Sequence, residues 1–202
     1  MERNLSNEGL ALIKKFEGCR LKAYKVSAAD PYYTIGYGHY SCDISKNDTI
    51  TQEQAEELLK KDCDKFVKHV NLYMCKYNFN QNQFDALVSF AYNIGSITKL
   101  TLNGTRTIEI ISSKIPEYCK SNGKVLKGLV ARRAEEKALF DTPCTGKTLT
   151  DVAKEVIAGK WGNGEERIRK LENAGYNYAV VQAIVNELLK WKKVGEYNGC
   201  TK

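Results

Sequence analysis

Between residues 24 and 50 the helical spacing that governs most of this chain disappears. Tyr32, Tyr33, Thr34, Ile35, Tyr37 and Tyr40 are β-formers punctuated by Gly36 and Gly38. Such a run reads as a small antiparallel sheet. Helical spacing rules on either side. Leu10, Ile13 and Phe16 predict a helix that stops at Glu17-Gly18. Thr51-Gln-Glu-Gln54 is a capping box, followed by a helix carrying Leu58, Leu59 and Phe66. Asn80 and Gln83 repeat the cap before Phe84, Leu87, Val88 and Ala91, an apolar stripe. Weaker helical patterns run through 105–120 and 129–140. The expected fold class is α+β, a mainly helical domain with one small antiparallel sheet near its start.

The clearest break is Asp-Thr-Pro-Cys-Thr-Gly-Lys at 141–147, a linker by composition. It separates an expected domain over 1–141 from a module over 148–202, with the linker at 142–147. The module reads as three helices, about 150–158, 165–173 and 178–191, and its core is small for independent stability.

Composition excludes several classes. Of 202 residues 43% are hydrophobic and 27% charged, the range of an ordinary globular protein rather than a disordered one. No apolar run approaches the roughly 18 residues of a membrane span, so no membrane insertion is expected. The N-terminal segment lacks the apolar stretch of a secretory signal, so if the protein works outside a cell, something other than that signal is expected to release it. The seven cysteines, at 19, 42, 63, 75, 119, 144 and 200, form no C-x-x-C pair. They read as free thiols, and no metal site is expected. The formal net charge is +7, with 21 basic against 17 acidic residues in 1–141 and 10 against 7 in 142–202. A nucleic-acid binder clusters its positive charge. The even spread instead suits a polyanionic surface such as a bacterial wall.

Three residues near the N-terminus carry candidate chemistry. Glu17 ends an amphipathic helix between Phe16 and Gly18. A carboxyl beside aromatic surface is poorly solvated, the environment of a general acid for glycosidic cleavage; the plainer reading is a surface glutamate at a helix end. In Tyr-Tyr-Thr-Ile-Gly-Tyr-Gly-His-Tyr, four aromatics offer a face for stacking sugar rings. Thr34 can hold a water, and His39 can orient a carboxylate. The plainer reading there is a tyrosine-rich strand buried as core.

Phe-Glu-Gly-Cys-Arg-Leu-Lys-Ala-Tyr followed by Tyr-Tyr-Thr-Ile-Gly-Tyr-Gly-His resembles the phage-type lysozymes of glycoside hydrolase family 24. Residues 80–95 and 128–140 look like that family's later core motifs. The resemblance covers about 1–141. It implies hydrolysis of the β-1,4 bond between N-acetylmuramic acid and N-acetylglucosamine in peptidoglycan, with no metal or organic cofactor. It implies Glu17 as general acid, Thr34 as the residue positioning the attacking water, and His39 as structural support. Asn93 and the Arg132-Arg133 pair fall where the family lines its cleft or pairs with the acid.

The middle member departs from the pattern. The family commonly has Asp or Cys nine residues after the glutamate, where this chain has Val26. The loop from Lys25 to Tyr33 is about two residues longer than usual for the family. Either the longer loop carries Asp30 into the cleft, or the second carboxylate is missing. The reading taken is Asp30, although Asp-Pro is also a common turn starter; Asp43 is the weaker alternative. An inverting glycosidase places its two carboxyls about 6.5–9.5 Å apart, with room for water.

The segment over about 148–190 closely resembles the wall-binding repeat CW_7, through Gly-Lys-Trp-Gly-Asn-Gly-x-Glu-Arg and Ala-Gly-Tyr-x-Tyr. The repeat binds the peptidoglycan glycopeptide. Trp161 offers a stacking face, Gly162 permits close backbone approach, Arg167 can take a carboxylate in a bidentate contact, and Asp151 can accept hydrogen bonds. The plainer readings are Trp161 as anchor of a tiny core and Asp151 as helix-dipole support. Tyr176 and Tyr178 read as packing. A single copy holds weakly unless something supplies avidity, so weak self-association is expected.

Together these readings describe an endolysin: a muramidase domain held on the wall by its module, expected to be made in the host bacterial cytoplasm and to act on the wall after the membrane is permeabilised. The departure at Val26 motivates an alternative, a peptidoglycan-binding protein with weak or dead catalysis. A nucleic-acid binder is a third class, disfavoured by the charge spread and the Gly-Lys-Trp-Gly turn.

Overall fold

The structure, a computed structural model, describes residues 2–143 and 147–197. It divides into two compact units, Met1–Phe140 and Asp141–Lys202. The heart of the expected linker, 144–146 with Cys144, and the tail 198–202 with Cys200 lie outside the described residues. No helix among those described is long and apolar enough to cross a membrane.

The first unit opens with α1 (Asn7–Glu17), capped where the Ser6 side chain accepts from the Gly9 amide. Leu10 and Ile13 are buried along it. The helix ends where Gly18 takes φ +67, a conformation that costs glycine nothing. The chain then enters a three-stranded antiparallel sheet, β1 (Arg20–Tyr24), β2 (Tyr33–Gly36) and β3 (His39–Ser41), in that order. Glu17 is therefore held at the seam between helix and sheet. The sheet begins before Tyr24, at Arg20, because the turn at Gly18 releases the chain directly into a strand.

The helices α2 (Gln52–Asn71) and α4 (Gln81–Ile94) both carry full capping boxes, Thr51 with Gln54 and Asn80 with Gln83. Between them lies the short α3 (Met74–Tyr77). The apolar residues Phe84, Leu87, Val88, Phe90 and Ala91 are fully buried, so α4 is the central helix of this unit. α1 packs across it at Gly9, where an added Cβ would lie 2.7 Å from the Asp85 Cβ. Only a residue without a side chain permits that approach.

The remainder follows as α5 (Thr98–Thr101), α6 (Ile108–Lys114), a single 3₁₀ turn at Ile115–Glu117, the hairpin β4 (Lys120–Ser121) and β5 (Lys124–Val125), and α7 (Lys127–Asp141). The stretch expected to be helical through 105–120 thus breaks at Pro116 and passes into a hairpin. Asn122 and Gly123 both take positive φ, 49° and 76°, the preference of Asn-Gly in a tight hairpin turn.

The second unit is three helices, α8 (Leu149–Ile157), α9 (Gly164–Asn173) and α10 (Tyr178–Tyr197). Its core is Val152, Ala153, Val156, Leu171, Tyr176, Val181 and Val185.

Candidate active site

Glu17 is the last residue of α1, its side chain 24% exposed. A carboxylate there faces the negative end of the helix dipole. Arg132 of α7 offsets it: Nη1 donates to Glu17 Oε1 at 2.6 Å. The same guanidinium donates through Nε to Glu136 Oε1 at 3.0 Å and through Nη2 to the Ser89 carbonyl at 3.1 Å. The acid thus sits against a fixed guanidinium as well as beside Phe16, whose ring lies 5.7 Å from Arg132 Cζ. The apolar surroundings expected from the sequence are only part of its environment.

Behind Arg132 lies a buried cluster. Arg133 and Glu136 are fully buried. Arg133 Nη2 donates to Asn93 Oδ1 at 2.8 Å, and its guanidinium lies 4.6 Å from the centre of the Phe90 ring. Arg133 Nε is 3.1 Å from Glu136 Oε2, an ion pair without hydrogen-bond alignment. Ser89 Oγ donates to Glu136 Oε1 at 2.8 Å. Burial pushes the Glu136 carboxyl up from its ordinary range, against the pull of both arginines and Ser89. Two phenol and thiol neighbours respond to the same region. Burial first, then the charge of Glu17, pushes the Tyr92 phenol up. Burial, with Asp62, Asp64 and Glu17 adding, pushes the Cys63 thiol up to about 12.

On the sheet, Thr34 is buried and pairs with Tyr24 on one side and Tyr40 on the other. Directly opposed residues share a face, and Tyr32 lies two residues along the same strand direction. Tyr32 and Tyr40 are 44% and 49% exposed, their rings 5.6 Å apart. The aromatic face around Thr34 is therefore Tyr24, Tyr32 and Tyr40. Tyr37, counted in it from sequence, is core: its hydroxyl accepts from Gln52 Nε2 at 2.7 Å. His39 Nδ1 lies 3.0 Å from both carboxylate oxygens of Asp62 on α2.

Asp30 turns back into its own loop. Its Oδ2 accepts from the Ser27 amide at 2.7 Å, and its carbonyl accepts from Lys25 Nζ at 2.6 Å. Val26 is 78% exposed. Asp43 is exposed and accepts from Ser41 Oγ at 3.3 Å. Glu17, Arg132 and, through Arg133, Asn93 are brought together; Asp30 has its hydrogen bonds elsewhere. Glu136 and Ser89 were not singled out from sequence, although the spacing Arg132-x-x-x-Glu136 on one helix was a readable signal.

A pocket of roughly 200 Å³ lies under the N-terminal arm, lined by Leu5, Ser6, Lys60, Cys63 and Asp64 among others. Its lining includes none of Glu17, Thr34 and Arg132.

In the second unit, Trp161 Nε1 donates to Glu155 Oε2 at 3.1 Å, and its ring meets Tyr176 edge-on at 5.9 Å. Gly162 takes φ +74. Arg167 donates to the Gly162 carbonyl at 3.0 Å and to Asn163 Oδ1 at 2.8 Å, locking the turn. Asp151 is exposed and accepts from Thr148 Oγ1 at 2.7 Å.

Residues 14–136 match the model of the phage lysozyme family. The chain belongs to that family. Residues 150–189 match the CW_7 repeat. The chain is 49% identical over 144 residues to an endolysin of Bacillus phage PZA, covering 68% of this chain and 55% of that protein. It is 43% identical over 169 residues to an endolysin of Bacillus phage B103, covering 75% of this chain and 64% of the other. This chain thus spans little more than half to two thirds of these relatives. Among solved structures, the muramidase domain of SpmX from Asticaccaulis excentricus aligns with a TM-score of 0.60 and 36% identity, covering 70% of this chain and all of that one.

Proposed function

We propose that this chain is an endolysin that hydrolyses the β-1,4 bond between N-acetylmuramic acid and N-acetylglucosamine in bacterial peptidoglycan. The observation that carries the reading is Glu17, a carboxyl at a helix–sheet seam whose orientation is fixed by an anchored arginine. Glu17 protonates the leaving glycosidic oxygen. Asp30, with Thr34, positions or activates the water, and an inverting route needs the two carboxyls about 6.5–9.5 Å apart. His39, tied to Asp62, supports the strand next to Thr34, and Asn93 and Arg132 line the cleft. The muramidase domain spans 1–141. The module over 148–202 holds the enzyme on the wall through Asp151, Trp161, Gly162 and Arg167, weakly enough that self-association would strengthen it. The enzyme meets its substrate once the membrane has failed.

The test is release of reducing ends from purified walls by wild type, Glu17→Gln and Asp30→Ala. Loss of a positioned general acid typically costs about 10²–10⁴-fold, so Glu17→Gln should co-sediment with walls and release almost nothing. Undiminished release by that variant overturns the reading.

A second reading has its own observation. The Asp30 carboxylate is engaged by the Ser27 amide, which supports a wall-binding protein with weak or dead catalysis. Such a protein co-sediments with walls while releasing no reducing ends.

A further inference from the structure

Arg132, Arg133 and Glu136 lie on one helix at spacings that let a single carboxylate reach both guanidinia. All three are buried. A buried charge cluster of this kind is a poor stabiliser, since apolar side chains of similar volume often do as well or better. What it delivers is orientation. Each of the three nitrogens of Arg132 has a different acceptor: Nε meets Glu136, Nη2 the Ser89 carbonyl, Nη1 Glu17. Two of those acceptors are buried on α4 and α7 and fix the guanidinium plane, so the third bond can point in only one direction. Ser89 Oγ holds the same Glu136 oxygen from α4. Arg133, the second partner of that carboxylate, holds Asn93.

We infer that Glu136 is the positioning residue of the site: its buried carboxylate sets the plane of Arg132 and, through it, the orientation of the Glu17 carboxyl. The inference rests on the muramidase reading above. Glu136 touches no substrate. It acts through Arg132.

The test measures kcat and KM for reducing-end release by the full chain on one preparation of purified peptidoglycan, with unfolding followed by circular dichroism. A small misplacement of a reacting group can cost about 10²-fold. Glu136→Gln is therefore expected to lower kcat about 10- to 100-fold while KM stays within about 2-fold. A double-mutant cycle separates positioning from general damage. In an Arg132→Gln background, adding Glu136→Gln is expected to change kcat by less than about 3-fold, because the route through Arg132 is already cut. A kcat for Glu136→Gln equal to wild type, or losses that multiply in the double variant, overturns the inference.

If Glu136→Gln does not fold, Ser89→Ala is read in its place. It removes one hydrogen bond to Glu136 and no charge. A fall of a few fold in kcat at unchanged KM is expected, and an unchanged kcat overturns the inference. These failures are distinct from failure of the muramidase reading, which shows as a wild type releasing no reducing ends or a fully active Glu17→Gln.

Discussion

Arg132 Nη1 donates to Glu17 Oε1 at 2.6 Å across 115 residues of sequence, joining the last residue of the first helix to the last helix of the first unit. Arg132→Lys keeps the charge but not the three-way fork, because an ammonium on a flexible stem cannot meet three fixed acceptors in one plane. The variant should fold and should lose about 10- to 100-fold in reducing-end release, the range a misdirected reacting group produces. Wild-type rates from it would remove orientation from the account of this site.

His69 gives the first unit a pH-dependent element. Its Nε2 accepts from the Ile97 amide at 3.2 Å and lies 3.0 Å from Ser96 Oγ. Burial holds its imidazole below the ordinary value. A folded value below the unfolded one means the neutral ring is the stabilising form. Its contribution is present above the unfolded value, about 6.5, and is lost as pH falls through that region. Thermal unfolding should show a lower midpoint at pH 5 than at pH 7.5, and His69→Gln should flatten that part of the slope. Equal slopes for both proteins would be evidence that another group titrates.

Gly9 is where α1 and α4 touch. A methyl there would meet Leu5 Cδ1 at 2.6 Å and Asp85 Cβ at 2.7 Å. Gly9→Ala gains helix propensity but overpacks the contact, and overpacking typically costs about 1–3 kcal/mol. Chemical denaturation of the variant should show a lower midpoint than wild type, while an unchanged or higher one would mean that α1 shifts freely.

Cys63 is buried and its thiol is pushed up to about 12, whereas Cys19, Cys42 and Cys75 are exposed. The thiolate is the reactive form. Brief alkylation of the native protein near neutral pH, followed by peptide mass spectrometry, should label Cys19, Cys42 and Cys75 and leave Cys63 unmodified. Early labelling of Cys63 would show that the N-terminal arm over it opens readily.

The caps and stripes were legible because their physics is local. Thr51 with Gln54 and Asn80 with Gln83 each satisfy orphan amides within four residues, so sequence spacing alone locates both helices. The sheet was legible from its β-formers, but which tyrosines face outward was not. Register sets Tyr40 opposite Thr34, whereas Tyr37 lies in the turn between β2 and β3 and is buried by the packing around it. The hairpin after Pro116 was missed although Asn122-Gly123 signals it, because each of its strands is only two residues long. Glu17 was visible through its motif. Glu136 was half legible: its spacing from Arg132 reads within α7, but the Ser89 hydroxyl that holds the same oxygen comes from another helix, a proximity no spacing within α7 reports.

The bond between Glu17 and Arg132 also sets an order in time. A ribosome makes α1 early and α7 near the end of the first unit. Until α7 has emerged and docked, the acid has no guanidinium to aim it. A chain cut short before residue 132 would carry Glu17, the sheet and the central helix, yet leave that carboxyl without its guanidinium. The carboxyl proposed as the general acid is thereby aimed only when α7 closes on α1.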